Sequence, residues 1–240
     1  MKTYNKHLIH LLFPPRCPFC DRVMFTSIFL PPEMVCDSCS RLPEYVQEPV
    51  CKKCGKPLDD ERQEYCYDCI HQRRAFIQGK ALWVYQEAVR ESISRFKYNG
   101  RQEYAKYYAG ELLRVHGEWI KRQGIDALVP IPLSRQRMRQ RGFNQAELIA
   151  RELSVQSKIP EYGKLLVRVR DTRAQKELND EERKNNLKKA FKTMSNKVQL
   201  YHILLIDDIY MNEAAEELKR AGAKEVYCLS VSIGRGYQEE

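Results

Sequence analysis

From residue 76 onward, short apolar runs alternate with amphipathic stretches. Residues 127–131 and 203–206 are continuously apolar, as strands buried on both faces are. Residues 79–85 and 225–232 predict two more strands, and 165–169 another. Helical spacing fills the intervals. Residues 88–98 place Val89, Ile93 and Phe96 on one face, and residues 104–120 place Ala105, Ala109, Leu112, His116 and Ile120 on one face. After Gln145 a helix turns Ala146, Ile149, Ala150 and Leu153 inward. Residues 180–191 predict a charged helix with Asp180 as N-cap. Residues 212–221 predict a helix with Ala214, Ala215, Leu218 and Ala221 inward, stopped by Gly222. Residues 97–101 read as a turn carrying two cations, and 134–145 as a basic loop containing Gly142. Strands alternating with helices imply an α/β fold with a parallel sheet over residues 76–240.

Residues 1–75 lack that rhythm. An amphipathic lead-in ends at Pro14-Pro15, and a Pro-rich cysteine module follows, its two halves joined by residues 44–50. Eight of the nine cysteines fall into Cys-x-x-Cys pairs: Cys17/Cys20, Cys36/Cys39, Cys51/Cys54 and Cys66/Cys69. Two thiolates on one tight turn match two corners of a zinc tetrahedron. Gly55, directly after Cys54, suits a knuckle turn with positive φ. Two structural zinc ions are expected, holding together a module that has no core of its own. The first two pairs fit the spacing of one four-cysteine zinc site and the second two fall slightly below it, while spacing alone leaves sites crossed between pairs open. Redox dithiols of the thioredoxin kind would need a βαβ context that residues 17–69 lack. The required thiolates point to a reducing, cytoplasmic setting. Cys228, in an apolar run, reads as a small buried hydrophobe.

No stretch approaches the ~20 apolar residues of a membrane span, and the run at residues 8–13 is short for a secretory signal. With 43% hydrophobic and 30% charged residues, the chain reads as globular. The formal charge of +9 is localised, because residues 135–197 hold 17 basic and 8 acidic residues. Such a footprint suits a polyanionic partner, although a solvated basic surface has the same composition.

Ligands of open parallel sheets bind beyond the carboxyl ends of the strands. Two places qualify. One follows residue 131, where Arg135, Arg137, Arg139 and Arg141 suit phosphates. The other follows residue 206, where Asp207 and Asp208 suit ribose hydroxyls or a divalent metal. Lys97, Arg101, Asn144, Gln145, Arg170 and Arg183 complete the candidate phosphate or nucleic-acid contacts, and Arg168, Arg173, Lys188 and Lys189 extend the basic stretch. Tyr98, Phe143 and Tyr210 are aromatics able to stack bases where exposed, with Phe143 the best candidate for the core.

Several motifs occur in a fixed order: Lys97-Tyr98-x-Gly100, Leu128-Val-Pro-Ile-Pro-Leu-Ser134, Arg141-Gly-Phe-Asn-Gln-Ala-Glu-Leu148, Arg170-Asp-Thr172-x-x-Gln175, Arg183-x-x-Asn186 and Ile203-Leu-Leu-Ile-Asp-Asp-Ile-Tyr210. With the cysteine pairs, they closely resemble the ComF family of late competence proteins. The resemblance implies a double zinc ribbon followed by a type I phosphoribosyltransferase-like domain, serving single-stranded DNA during natural transformation. It also implies partners such as a DNA-uptake helicase or strand-loading protein, and peripheral association with a membrane uptake complex. The family resembles salvage enzymes that use phosphoribosyl pyrophosphate with magnesium. In the family, a Thr/Gly-rich phosphate cradle follows the two aspartates. Here Ile209-Tyr210-Met211 runs straight into Asn212-Glu213, without that Gly or those hydroxyls. The expectation is therefore a DNA-handling protein without turnover, with an active phosphoribosyltransferase and a zinc-ribbon adaptor as the alternatives.

Overall fold

The computed structural model describes residues 14–24, 34–169, 190–194, 201–207 and 212–235. Six strands are present among them: β1 Gly79–Val84, β2 Ala127–Pro130, β3 Leu166–Arg168, β4 Phe191–Thr193, β5 His202–Asp207 and β6 Glu225–Ile233. The helices are α1 Tyr67–His71, α2 Glu87–Tyr98, α3 Tyr104–Arg122, α4 Arg135–Arg141, α5 Gln145–Ser157 and α6 Asn212–Arg220. The four longer strands form one parallel sheet in the order β1-β6-β5-β2.

Alternating side chains of the sheet feed two cores. Leu82, Leu128, Leu204, Ile206, Leu229 and Val231 face α2, α3 and α5. Val129, Ile203, Leu205, Val226 and Cys228 face α6 and the β3–β4 ribbon. Such three-layer packing explains the unbroken apolar runs at β2 and β5, since both faces are covered. Cys228 is buried, as its setting implied. Both sheet edges are covered by chain. Val46 N donates to Leu82 O and Val84 N to Glu44 O along β1, while Leu128 N donates to Pro160 O and Tyr162 N to Leu128 O along β2.

The cysteine module does not rest on metal alone. Cys17, Phe19, Met24 and Cys39 join the first core, and Cys51, Cys54, Leu58 and Cys66 join the second. The two halves of the module thus lie against opposite faces of one sheet. Phe19 is 4% exposed. Its ring meets Trp83 edge-on at 5.6 Å and Tyr107 at 6.0 Å.

Three local expectations are corrected. The basic segment after Ser134 is a helix, α4, because the Ser134 side chain accepts from Arg137 N and Gly142 adopts φ 78° at its end. The turn expected over residues 97–101 is confined to its later part, since Lys97 and Tyr98 close α2 as the helix expected over 88–98 has them. Phe191, expected to end a helix, lies in β4, antiparallel to β3. Its ring is buried under the sheet, with the Arg168 guanidinium 5.5 Å above it. Residues 180–189 and the lead-in at 1–13 fall outside the described residues.

Candidate functional site

The paired cysteines gather into two tetrads: Cys17, Cys20, Cys36 and Cys39, and then Cys51, Cys54, Cys66 and Cys69, with the sulfur atoms of each within 4.8 Å of one another. The grouping is sequential, not crossed. Cys36 Sγ lies 3.6 Å from Cys17 Sγ and 3.7 Å from Cys20 Sγ, and Cys54 Sγ lies 3.6 Å from Cys66 Sγ. Thiolates ~2.3 Å from a tetrahedral zinc stand about 3.8 Å apart, whereas a disulfide needs ~2.0 Å. These donors fit zinc. Four protein ligands close each site, so the ions would fold the module and leave no position for a substrate.

The two ribbons are built alike. Asp21 N donates to Cys17 O at 2.9 Å as Gly55 N does to Cys51 O at 2.8 Å. Met24 N donates to Pro15 O at 2.8 Å as Leu58 N does to Pro49 O at 2.9 Å. The residue after each first pair is left-handed, φ 58° at Asp21 and 73° at Gly55. Cys36 and Cys66 then stand at the N-termini of a 3-10 turn, Asp37–Cys39, and of α1. Gly55 is required by packing as well as by φ, since a Cβ there would meet Gly79 O at 2.8 Å.

At the carboxyl end of the sheet, the two places marked out in the sequence become one. β2 and β5 are neighbours, with Pro130 paired to Ile206 and Ile131 N donating to Ile206 O at 3.0 Å. Asp207 therefore stands beside the start of the segment that leads to α4. Lys97, half-buried at the end of α2, faces Asp207, Arg141 and Arg137; crowding by protein, and then the two arginines, push its pKa down to about 8, against the pull of Asp207. Arg141 stacks over Tyr98 at 5.0 Å and donates to the Tyr98 hydroxyl at 3.0 Å and to Gln145 Oε1 at 2.9 Å. Gln145 is 4% exposed, yet its Nε2 finds no acceptor, and neither does Arg141 Nε. Buried donors without partners are costly, and Arg74 Nε, Trp83 Nε1 and Arg101 Nε share that condition elsewhere among the described residues. Here they belong to Arg141 and its hydrogen-bond partner, and Arg141, with Arg137, acts electrostatically on Lys97 against the pull of Asp207.

The other candidates separate. Arg135, Arg137 and Arg139 are exposed along α4. Asn144 is turned inward: its Oδ1 accepts from Ala146 N at 3.1 Å and its Nδ2 donates to Ile131 O at 3.0 Å, capping α5 against the end of β2. Arg101 is turned to the first ribbon, donating to Asp21 Oδ2 at 2.7 Å. Phe143 packs against Phe96 at 6.1 Å, as expected of a core ring. Asp208, Arg170, Arg173, Arg183, Lys188, Lys189 and Tyr210 lie outside the described residues. The end of β5 and the start of α6 are joined by residues 208–211. Sequence reasoning overlooked Asp21 and Tyr104. Burial works against the Asp21 charge, but hydrogen bonds from Arg101 and Tyr104 outweigh it and hold this carboxyl below its ordinary pKa. The only signal in the sequence was an aspartate where the second ribbon has Gly55.

Comparison with known proteins fits this geometry. Residues 8–70 match the double zinc ribbon domain family. Competence protein ComFC of Streptococcus pneumoniae is 30% identical over 231 residues, 90% of this chain and 99% of the relative. The chain belongs to the ComFC family. Competence protein ComFC of Bacillus subtilis is 29% identical over 82% of this chain and 84% of its own length. DNA utilization protein YhgH of Escherichia coli is 28% identical over 81% of this chain and 89% of its own. Membership in the ComFC family extends the likeness beyond the ribbons into the α/β portion that carries the cleft. Among the described residues no helix is long and apolar enough to cross a membrane.

Proposed function

We propose that this protein handles single-stranded DNA during uptake in natural transformation, holding backbone phosphates in the cleft at the carboxyl end of its parallel sheet. One observation carries the reading: Arg141, stacked on Tyr98 and bonded to Gln145 Oε1, leaves its own Nε and the buried Gln145 Nε2 without acceptors, within electrostatic reach of Lys97. Phosphate oxygens would accept from those donors and offset the repulsion among the cations. Exposed Tyr98, under Arg141, offers a ring for an unstacked base. The exposed arginines of α4 continue the positive track. The relatives' names, competence protein and DNA utilization protein, point the same way. The ribbons, rigid and closed, suit docking to a protein of the uptake apparatus, through which the chain would work at the inner face of the membrane.

The reading is non-catalytic. A phosphoribosyltransferase-like site would need donors for the 5′-phosphate of phosphoribosyl pyrophosphate. The connection at 208–211 is short, and Ile209, Tyr210 and Met211 supply neither glycine nor an aliphatic hydroxyl. The donor set therefore does not fit that ligand. Asp207 at the strand end favours the second reading, an active transferase with magnesium. Fluorescence anisotropy with labelled oligo-dT tests the first, and calorimetry with phosphoribosyl pyrophosphate and magnesium tests the second. Micromolar affinity for the phosphoribosyl donor, with no binding of oligo-dT, would reverse the choice.

A further inference from the structure

We infer that Asp21, on the first zinc knuckle, is a positioning residue for the cationic cleft, fastening the turn between α2 and α3 so that Lys97 and Tyr98 stay aimed at the anion. The inference rests on the reading of the cleft as an anion site. It begins with the comparison of the ribbons. Both knuckles place the residue after their first cysteine pair in a left-handed backbone. Glycine adopts that conformation freely and is found in the second ribbon, whereas the first carries an aspartate, at a conformational cost.

The Asp21 side chain keeps one ion pair within its own ribbon, Arg16 Nη1 lying 3.6 Å from Oδ2, and makes its shorter bonds outside it. Its Oδ1 accepts from the Tyr104 hydroxyl at 2.7 Å, and its Oδ2 accepts from Arg101 at 2.7 Å. The neighbouring knuckle backbone adds two bonds, from Arg95 to Phe19 O at 2.7 Å and from the Tyr104 hydroxyl to Cys17 O at 3.3 Å. Arg95, Arg101 and Tyr104 bracket Lys97 and Tyr98 in the chain. The last turn of α2 is therefore tied down on both sides of the two residues it lends to the cleft. The tie matters because burial and Arg141 disfavour the Lys97 charge while Asp207 draws it in, so its balance depends on where the last turn of α2 is held. Asp21 touches no cleft group itself. It acts through Arg101 and Tyr104.

The test is Asp21→Gly, which installs the residue of the sister ribbon, with Tyr104→Phe as a second variant that removes the hydroxyl but keeps the buried ring. Three quantities are read in the full chain: bound zinc, the Lys97 titration by NMR of the ¹³C-dimethylated protein, and affinity for labelled oligo-dT. The expected result for Asp21→Gly is unchanged zinc, a Lys97 titration moved upward toward the ordinary lysine value, and affinity weakened by roughly fivefold to tenfold, the scale of one ordinary hydrogen bond. Tyr104→Phe should shift Lys97 the same way, and the double variant should add little. An unmoved Lys97 titration in a zinc-loaded Asp21→Gly protein overturns the inference, whatever happens to affinity. Where Asp21→Gly loses zinc, Tyr104→Phe decides by the same criterion. A shifted Lys97 in a protein that binds no oligo-dT at all would support the clamp and refute the proposed function.

Discussion

Phe19→Ala should destabilise the whole protein, not just the first ribbon. Phe19 lies between Cys17 and Cys20 at the tip of a knuckle, so in an independent module its loss would be local. Here the ring is 4% exposed and packs against Trp83 and Tyr107, which belong to β1 and α3. Truncating a buried phenylalanine costs about 3–5 kcal/mol through lost transfer energy and the cavity left behind. A kilocalorie moves the midpoint of a chain of this size by roughly 2–4 °C, so the expected fall is on the order of 10 °C. Differential scanning calorimetry of the zinc-loaded protein reads it directly. The cysteines are untouched, so zinc content should stay at two per chain, as the two tetrads require. One cooperative transition, shifted downward, is the expected result. A separate early transition, with the main one unmoved, would refute the shared core.

Arg141→Leu should weaken oligo-dT binding and lower its salt slope by about 0.7 for each phosphate no longer held, measured by anisotropy across a salt series. It also removes the stacking and the hydrogen bond that order Tyr98. Oligo-dT affinity should be steady below pH 8 and fall as pH rises through about 8, because Lys97 loses its charge there. The stability sign is opposite. The folded pKa is depressed below the unfolded lysine value, so between the two the unfolded chain binds more protons and stability rises with pH, all else equal. Comparing denaturant midpoints of wild type and Lys97→Met across that window isolates the effect. Stripping zinc with a chelator should unfold the ribbons and lower the melting point of the α/β body with them, since their cysteines line both cores. Readdition of zinc should restore both, followed by circular dichroism.

Most of the sheet was legible because parallel strands covered on both faces leave continuous apolar runs, as at β2 and β5. The zinc tetrads were legible from spacing, which favoured the sequential grouping that the structure has, and only the way the turns fold back removes the crossed alternative. α4 escaped because its sequence, Arg135-Gln-Arg-Met-Arg-Gln-Arg141, has no apolar stripe; only the Ser134 cap and Gly142 betray it. β4 escaped because a single phenylalanine carries its burial. Within the cleft, the cations were visible as residue types, while their convergence was not. Lys97 becomes a cleft residue through the end of α2, and Asn144 turns inward to cap α5. The Asp21–Arg101 pair joins residues eighty positions apart in the chain, which no local pattern records.

Titrating labelled oligo-dT into the zinc-loaded protein over a range of salt concentrations bears most directly on the cleft as a phosphate site. A site built from Lys97 and the four arginines of α4, holding about three to four phosphates, predicts log affinity falling linearly with log salt, at about −0.7 per phosphate and a slope near −2 to −3. Affinity that is absent, or that does not change with salt, would contradict it.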